Sequence, residues 1–181
     1  MIHILIAGHD LKFAKHIIDF LKDNKKYKLR IDKWLSHTDH DINKSKELLN
    51  WAEIIFCEWG LGNAVWYSNN KTRDQKLIIR MLGQERLSSL PQKIKYNNVN
   101  HIIFISPHLR QSLIKIFNIP ISKTSIIYNL VDSTHFSKPK RKGSIYNLGI
   151  VGVSPKLKRL DLAIEIFNKL WMKNSKYHLY M

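Results

Sequence analysis

Cysteine is almost missing from this chain. Cys57 is the only one in 181 residues, so no disulfide can form within the chain and no cysteine-built zinc site is available. It stands in an apolar run, where a buried structural thiol is expected. No apolar run approaches the roughly 20 residues that a membrane-spanning helix needs. The first residues, Met1-Ile2-His3-Ile4, enter a strand pattern at once and leave no room for a signal peptide, so the expected location is the cytoplasm. Acidic residues are also scarce: 14 Asp and Glu stand against 30 Lys and Arg, a formal charge of +16. Lysine greatly outnumbers arginine, and Asn and Ile are abundant, which is the usage of AT-rich coding, so part of this charge is compositional. Part is grouped, at Lys22, Lys25, Lys26, Lys28, Arg30 and Lys33, and again at Lys138, Lys140, Arg141 and Lys142. Such groups can attract anionic lipid headgroups or nucleic acid phosphates. A solvated lysine-rich surface is the plainer reading of any one of them.

Familiar glycine-rich phosphate loops are lacking as well. Gly8-His9-Asp10 has no second or third glycine of a dinucleotide fingerprint, and no stretch carries the glycine spacing and Lys-Ser/Thr pair of a Walker loop. An ordinary NAD or ATP site is thereby excluded, and no cofactor is expected. No internal repeat or low-complexity tract is evident.

What the chain does have is a regular alternation of strand and helix patterns. Residues 2–7 are a short apolar run, after which Leu11, Ala14, Ile18 and Leu21 recur at helical spacing, with Asp10 placed to cap the helix. Tyr27, Leu29 and Ile31 alternate with Lys28, Arg30 and Asp32, the pattern of a strand with one wet face near a sheet edge. Helical spacing returns with Ile42, Leu48, Leu49 and Ala52. Further strands are expected at residues 53–57, 76–81, 101–105 and 124–128, with a short helix over 61–67 and two short helices around Pro91. Ser106-Pro107 supplies an N-cap and a first-turn proline for a helix through Leu109, Leu113, Ile114 and Phe117. Six strands with helices between them predict a doubly wound, Rossmann-like parallel sheet.

Residues 1–136 are expected to form this first domain, residues 137–144 a polar, basic linker, and residues 145–181 the start of a second α/β lobe. In the second lobe, 145–151 and 177–181 read as strands. Leu160, Ala163, Ile164, Phe167, Leu170 and Trp171 give the intervening helix its apolar stripe. One such βαβ unit has no further sheet to join and is expected to be incomplete.

Ligands of open parallel sheets bind beyond the carboxyl ends of the strands. The candidate site residues at those ends are Gly8, His9, Asp10, Glu58, Trp59, Glu85 and Asn129, together with Gly60, Leu82, Gly83, Gln84 and Ser106. Each has a plainer explanation alone, as turn glycine, helix cap or loop acid. In the second lobe, Gly152-Val153-Ser154-Pro155-Lys156-Leu157-Lys158-Arg159 lies between a strand and a helix N-terminus, a position that favours an anion such as phosphate. His37, Asp39, His40 and Asp41 have only loose metal-like spacing and read better as a polar helix start, so no metal is expected.

Ile126-Ile127-Tyr128-Asn129-Leu130-Val131-Asp132, followed by Phe136, resembles the Pro-Asn-Gly-Val-Asp…Phe signature that closes the N-terminal domain of GT-B glycosyltransferases of the family-four type. Leu148-Gly149-Ile150-Val151-Gly152, followed by Lys158 and Leu160-Asp161-Leu162-Ala163-Ile164, is similar to the start of that family's donor domain. The resemblance spans the chain and implies two α/β lobes, the first for a glycan or lipid-linked acceptor and the second for a nucleotide-sugar, without metal. It places Lys158 at the donor diphosphate and Gly8 in the loop facing the donor. Arg159 or Lys156 would stand in for a family arginine whose place Val153 takes, and Leu82 lies near a position where many members carry a histidine. The family's later Glu-x7-Glu element would lie beyond Met181, so a truncated chain, inactive alone, is expected. The resemblance implies glycosyl transfer with retention, in which cationic groups and helix N-termini on the donor lobe would stabilise the departing diphosphate. Glu58 and Glu85 are the carboxylates best placed to orient an acceptor hydroxyl. The grouped lysines could rest on the inner face of a membrane, and nucleic acid is not an expected partner on this reading. The alternative is a non-catalytic Rossmann-like module whose basic face binds nucleic acid or another polypeptide.

Overall fold

A computed structural model of the chain describes residues 1–152 and 158–181. The chain divides into two compact units, Met1–Val131 and Asp132–Met181. The first is a six-stranded, wholly parallel sheet with helices on both faces, a Rossmann-like α/β fold. In chain order its elements are β1 (Ile2–Gly8), α1 (Lys15–Asp23), β2 (Tyr27–Lys33), α2 (Ile42–Trp51), β3 (Ile54–Glu58), α3 (Gly62–Asn70), β4 (Lys76–Met81), β5 (His101–Phe104), α4 (Pro107–Phe117) and β6 (Thr124–Ile126). The strand order is β2-β1-β3-β4-β5-β6. The chain therefore steps from β1 to one side, then crosses back to add β3 on the other, and the topological switch falls between β1 and β3.

Strand pleating divides the apolar residues between two cores. Leu5, Ala7, Ile55, Cys57, Leu77, Ile79, Met81, Ile102 and Phe104 face α2, α3 and α4. Ile4, Ile6 and Phe56 face Ala14, Ile18 and Leu21 of the α1 side. Leu5, Ile6, Ile55, Leu77, Ile79 and Ile102 are wholly inaccessible, and such burial contributes about 1.5–3 kcal/mol per side chain. β2 is an edge strand, as its alternation predicts, with Lys28, Arg30 and Lys33 exposed along it. Lysines on an exposed edge discourage pairing with other chains.

Local chemistry sets the element ends. Asp41 caps α2 by accepting from the Lys44 N–H (3.0 Å). Ser106 caps α4 by accepting from the Leu109 N–H (3.2 Å), and Asn118 closes that helix in the left-handed conformation. Three expectations need correction. Asp10 does not cap α1: its carboxylate accepts from the Lys12 N–H (3.1 Å), a 3₁₀ turn over Lys12–Ala14 follows, and α1 starts at Lys15. Around Pro91 there are three 3₁₀ turns, Gln84–Leu87, Leu90–Lys93 and Tyr96–Asn98, and no α-helix. This segment is tied to α3 at short intervals, by Lys95 N–H to Ser68 Oγ (3.1 Å) and Asn98 Nδ2 to the Ser68 carbonyl (2.7 Å), and the tighter 3₁₀ turn suits runs this short. The sixth strand stops at Ile126, after which Ile127 gives one more bond to the Phe104 carbonyl (2.9 Å) and the chain leaves the sheet.

The second unit contains β7 (Asn147–Gly149), α5 (Leu160–Lys173) and β8 (His178–Tyr180), with β7 and β8 paired in parallel. Leu160, Ala163, Phe167 and Leu170 of α5 are half-buried, whereas Ile164 and Trp171, expected in the same stripe, are exposed with Leu162, Ile166 and Met172. Two three-residue strands cover only a narrow band of a 14-residue helix, and no residue of α5 is fully buried. Among the described residues no helix is long and apolar enough to cross a membrane.

Candidate functional site at the switch between β1 and β3

β1 ends at Gly8 and β3 at Glu58, so His9-Asp10 and Trp59-Gly60 leave the sheet side by side. Glycine is required at position 8: a Cβ there would stand 2.9 Å from the Glu58 carbonyl oxygen and 3.1 Å from Leu11 Cδ2. Asn63 ties the two ends together, its amide donating to the carbonyls of Ala7 (2.8 Å) and Glu58 (2.9 Å).

Trp59 has φ +72°, a left-handed conformation that costs a bulky residue roughly 1–2 kcal/mol. Its surroundings hold it there. The indole is buried and donates from Nε1 to the Asp10 carbonyl (2.9 Å), and the next residue, Gly60, donates its N–H to Glu85 (3.0 Å). His9 and Phe13 border the indole, with ring centroids 5.8 and 6.1 Å away. The His9 and His37 rings meet edge to face at 4.3 Å. Lys33 donates to the His9 carbonyl, and Lys12 pairs with Asp10 at 2.8 Å. Burial, and then the neighbouring His37, hold the His9 pKa below its ordinary value, with Lys33 and Lys12 acting the same way against the opposing pull of Asp10. An imidazole held toward its neutral form and two ammonium groups at a strand end suit an anionic group.

Glu58 and Glu85, expected to orient an acceptor hydroxyl or, more plainly, to be loop acids, are both fully buried and bonded within the protein. Glu58 receives two bonds from Arg80, at 2.8 Å from Nε and 2.6 Å from Nη2. Glu85 accepts from the backbone N–H groups of Gly60 (3.0 Å), Leu82 (3.2 Å) and Gly83 (2.6 Å). Glu85 therefore fixes the loops after β3 and β4, while Glu58 ties the end of β3 to Arg80 of β4. Asn129 is half-buried, and its Oδ1 is enclosed without a hydrogen-bond partner among the described residues.

In the second unit Gly152 is exposed at φ +80°, and the Lys158 stem lies 3.5 Å from where a Cβ on Gly152 would stand. Arg159, also left-handed at φ +49°, is paired with Asp161 at 3.0 Å. Of these two cations, Lys158 is the one without an ion pair among the described residues. Val153 and Lys156 lie outside the described residues.

The structure thus gathers Gly8, His9, Asp10, Glu58, Trp59 and Glu85 at one end of the first sheet, with Gly152, Lys158 and Arg159 in the second unit. Sequence reasoning missed Asn63 and Arg80, and met Lys33 only in a basic group and His37 only in a polar helix start. Arg80 carried a signal, as a charge within an apolar strand, and Asn63 carried none. Among the described residues no three His, Cys, Asp or Glu side chains converge as a metal site. No family model matches the chain, and a search of curated proteins returns no relative.

Proposed function

We propose that this chain belongs to a retaining glycosyltransferase of the GT-B type, which takes a nucleotide-sugar and a glycan or lipid-linked acceptor, and that it transfers no sugar alone. The observation that carries the proposal is the cluster at the β1–β3 switch, where the His9 ring borders a strained Trp59, Lys33 donates to the His9 carbonyl and Lys12 pairs with Asp10. The parallel sheet and the sequence resemblance across both units support it. His9, Asp10 and Trp59 would serve the acceptor side, and Gly152 and Lys158 the donor diphosphate. A titration of isotopically labelled protein with UDP-, GDP- and CMP-sugars tests this. One donor is expected to shift the amides of Gly152 and Lys158, and Lys158→Ala should weaken it about tenfold or more, the scale of a lost charge-assisted bond. Absence of shifts at millimolar concentrations of every donor would overturn the proposal.

The second reading, a non-catalytic basic module, is favoured by the commitment of Glu58 and Glu85 to internal partners. It predicts polyanion binding that weakens steeply with salt, whereas a nucleotide-sugar site responds less.

On the transferase reading, the exposed Lys22, Lys25, Lys26 and Lys28 form a membrane-facing strip. Arg30 contributes less, since it reaches Glu47 (3.4 Å) and lies over the Trp51 ring (4.7 Å). Salt-sensitive binding to vesicles containing phosphatidylglycerol, with little binding to pure phosphatidylcholine, is the expected result. Equal binding to both, or none to either, would reduce the strip to compositional bias.

A further inference from the structure

A pocket in the first unit is lined by none of the residues 8–10 and 58–60 of the β1–β3 switch. It is an open groove of about 370 Å³ along α3, between the loop after β2 and the 3₁₀ turn at Leu90–Lys93. Its walls are Trp34, His40, Trp66 and Val65, and its rim carries Asn69, Asn70, Thr38 and Lys93. Gly62 makes room for the loop: its N–H donates to the His37 carbonyl (3.0 Å), so close that any Cβ would collide with that oxygen.

The aromatic walls are held from behind by a buried carboxylate. Asp32 is inaccessible, and its Oδ2 accepts from Trp34 Nε1 (2.8 Å), Ser45 Oγ (2.7 Å) and Tyr67 OH (2.8 Å). Because Ser45 spends its proton on Asp32, its oxygen accepts from His40 Nδ1 at 2.7 Å. That fixes the imidazole with Nδ1 protonated and leaves Nε2 as an acceptor. The ring stacks on Trp34 (3.8 Å, 7°) and meets Trp66 edge to face (5.3 Å, 73°). Burial holds His40 below its ordinary pKa, against the pull of Asp32, Asp39 and Asp41, which keeps Nε2 open to a donor.

The rim mixes donors and acceptors. Asn69 and Asn70 turn their amide nitrogens back to the carbonyls of Val65 (2.7 Å) and Trp66 (2.8 Å), leaving their oxygens as acceptors, while Thr38 and Lys93 supply donors. A ligand suited to this pattern has an apolar face for the indole and several hydroxyls that each give and accept a bond. That is the chemistry of a pyranose ring, and a mostly apolar pocket with a few fixed polar groups is the usual form of a small-molecule site.

We propose that the pocket between Trp34, His40 and Trp66 is a saccharide-binding site that engages one pyranose residue. It lies in the first unit and its test uses no nucleotide, so its failure would be separate from a failure of the transferase proposal. The probes are methyl glycosides of glucose, galactose, mannose and N-acetylglucosamine, added to about 50 mM, at the weak end of the affinity scale. The readout is the set of indole N–H resonances of Trp34, Trp51, Trp59, Trp66 and Trp171. At least one glycoside is expected to shift Trp34 and Trp66 and to leave Trp51 and Trp171 in place. Trp66→Ala should weaken binding at least tenfold and Trp66→Phe much less, with unchanged circular dichroism in both. The proposal is overturned if no glycoside moves either indole, if Trp66→Ala binds as tightly as the parent, if only Trp59 moves, or if uridine and adenosine shift these indoles while the sugars do not.

Discussion

Arg80→Met is expected to destabilise the first unit by about 3–5 kcal/mol at neutral pH, the usual effect of removing one partner from a buried ion pair. Arg80 is 6% exposed and Glu58 not at all, so the variant leaves a carboxylate in a dry site with no other cation bonded to it. The effect should depend on pH in a defined direction. Burial raises the Glu58 pKa above its ordinary value even with Arg80 in place, and Glu85 and Asp10 add to the rise while Arg80 opposes it. A carboxyl raised in the folded state contributes stability that is fully present below its unfolded pKa and is lost as pH rises through the folded one. Without Arg80 the folded value climbs further. The gap between parent and variant should therefore be widest near neutrality and narrow as pH falls through the variant's folded Glu58 value. Urea unfolding at several pH values measures it, and a gap that stays constant with pH would contradict the assignment. Glu58→Leu combined with Arg80→Met should cost less than Arg80→Met alone, because no charge is then left buried.

The sheet was legible because its signals are local. Residues 2–7 and 76–81 are apolar runs of strand length, and the wet alternation of Lys28 and Arg30 marked an edge that the strand order displays. Errors arose where a local rule met a tertiary constraint. The α1 start moved past Asp10 because Lys12 takes its carboxylate through both backbone and side chain. The turns around Pro91 follow α3, a neighbour that no residue near Pro91 announces. The crevice positions at residues 8–10 and 58–60 could be named because binding at strand ends follows from topology alone. Their partners could not. Arg80 meets Glu58 across 22 residues and Lys33 meets the His9 carbonyl across 24, contacts set by strand order and register. Glu58 and Glu85 show the resulting hazard: acids at strand ends look catalytic until the groups that occupy them are seen.

Asp32 carries the second large expected effect. Asp32→Ala takes the shared acceptor from three buried donors, the Trp34 indole N–H, the Ser45 hydroxyl and the Tyr67 hydroxyl, and leaves the Trp34 and Tyr67 donors orphaned. An unpaired buried donor costs roughly 1–3 kcal/mol, and such costs are not additive within one network, so a total loss of about 3–5 kcal/mol is expected. Asp32→Asn keeps an accepting oxygen and should cost less. Tyr67 is fully buried, and burial followed by the Asp32 charge pushes its pKa well up, so the phenol stays a neutral donor and cannot escape its loss by ionising. The same substitution reaches the pocket through Ser45. Asp32 is the first of the groups that oppose the burial-driven lowering of the His40 pKa, so Asp32→Ala should lower that pKa further. Freed from Asp32, the Ser45 hydroxyl can donate to His40 Nδ1, which moves the imidazole proton to Nε2 and turns the pocket's acceptor into a donor. Chemical unfolding measures the first effect, and nitrogen shifts of the His40 ring, read as a function of pH, measure the second. A loss below about 1 kcal/mol together with an unchanged His40 titration and tautomer would show that the Asp32–Ser45–His40 chain does not act as one unit.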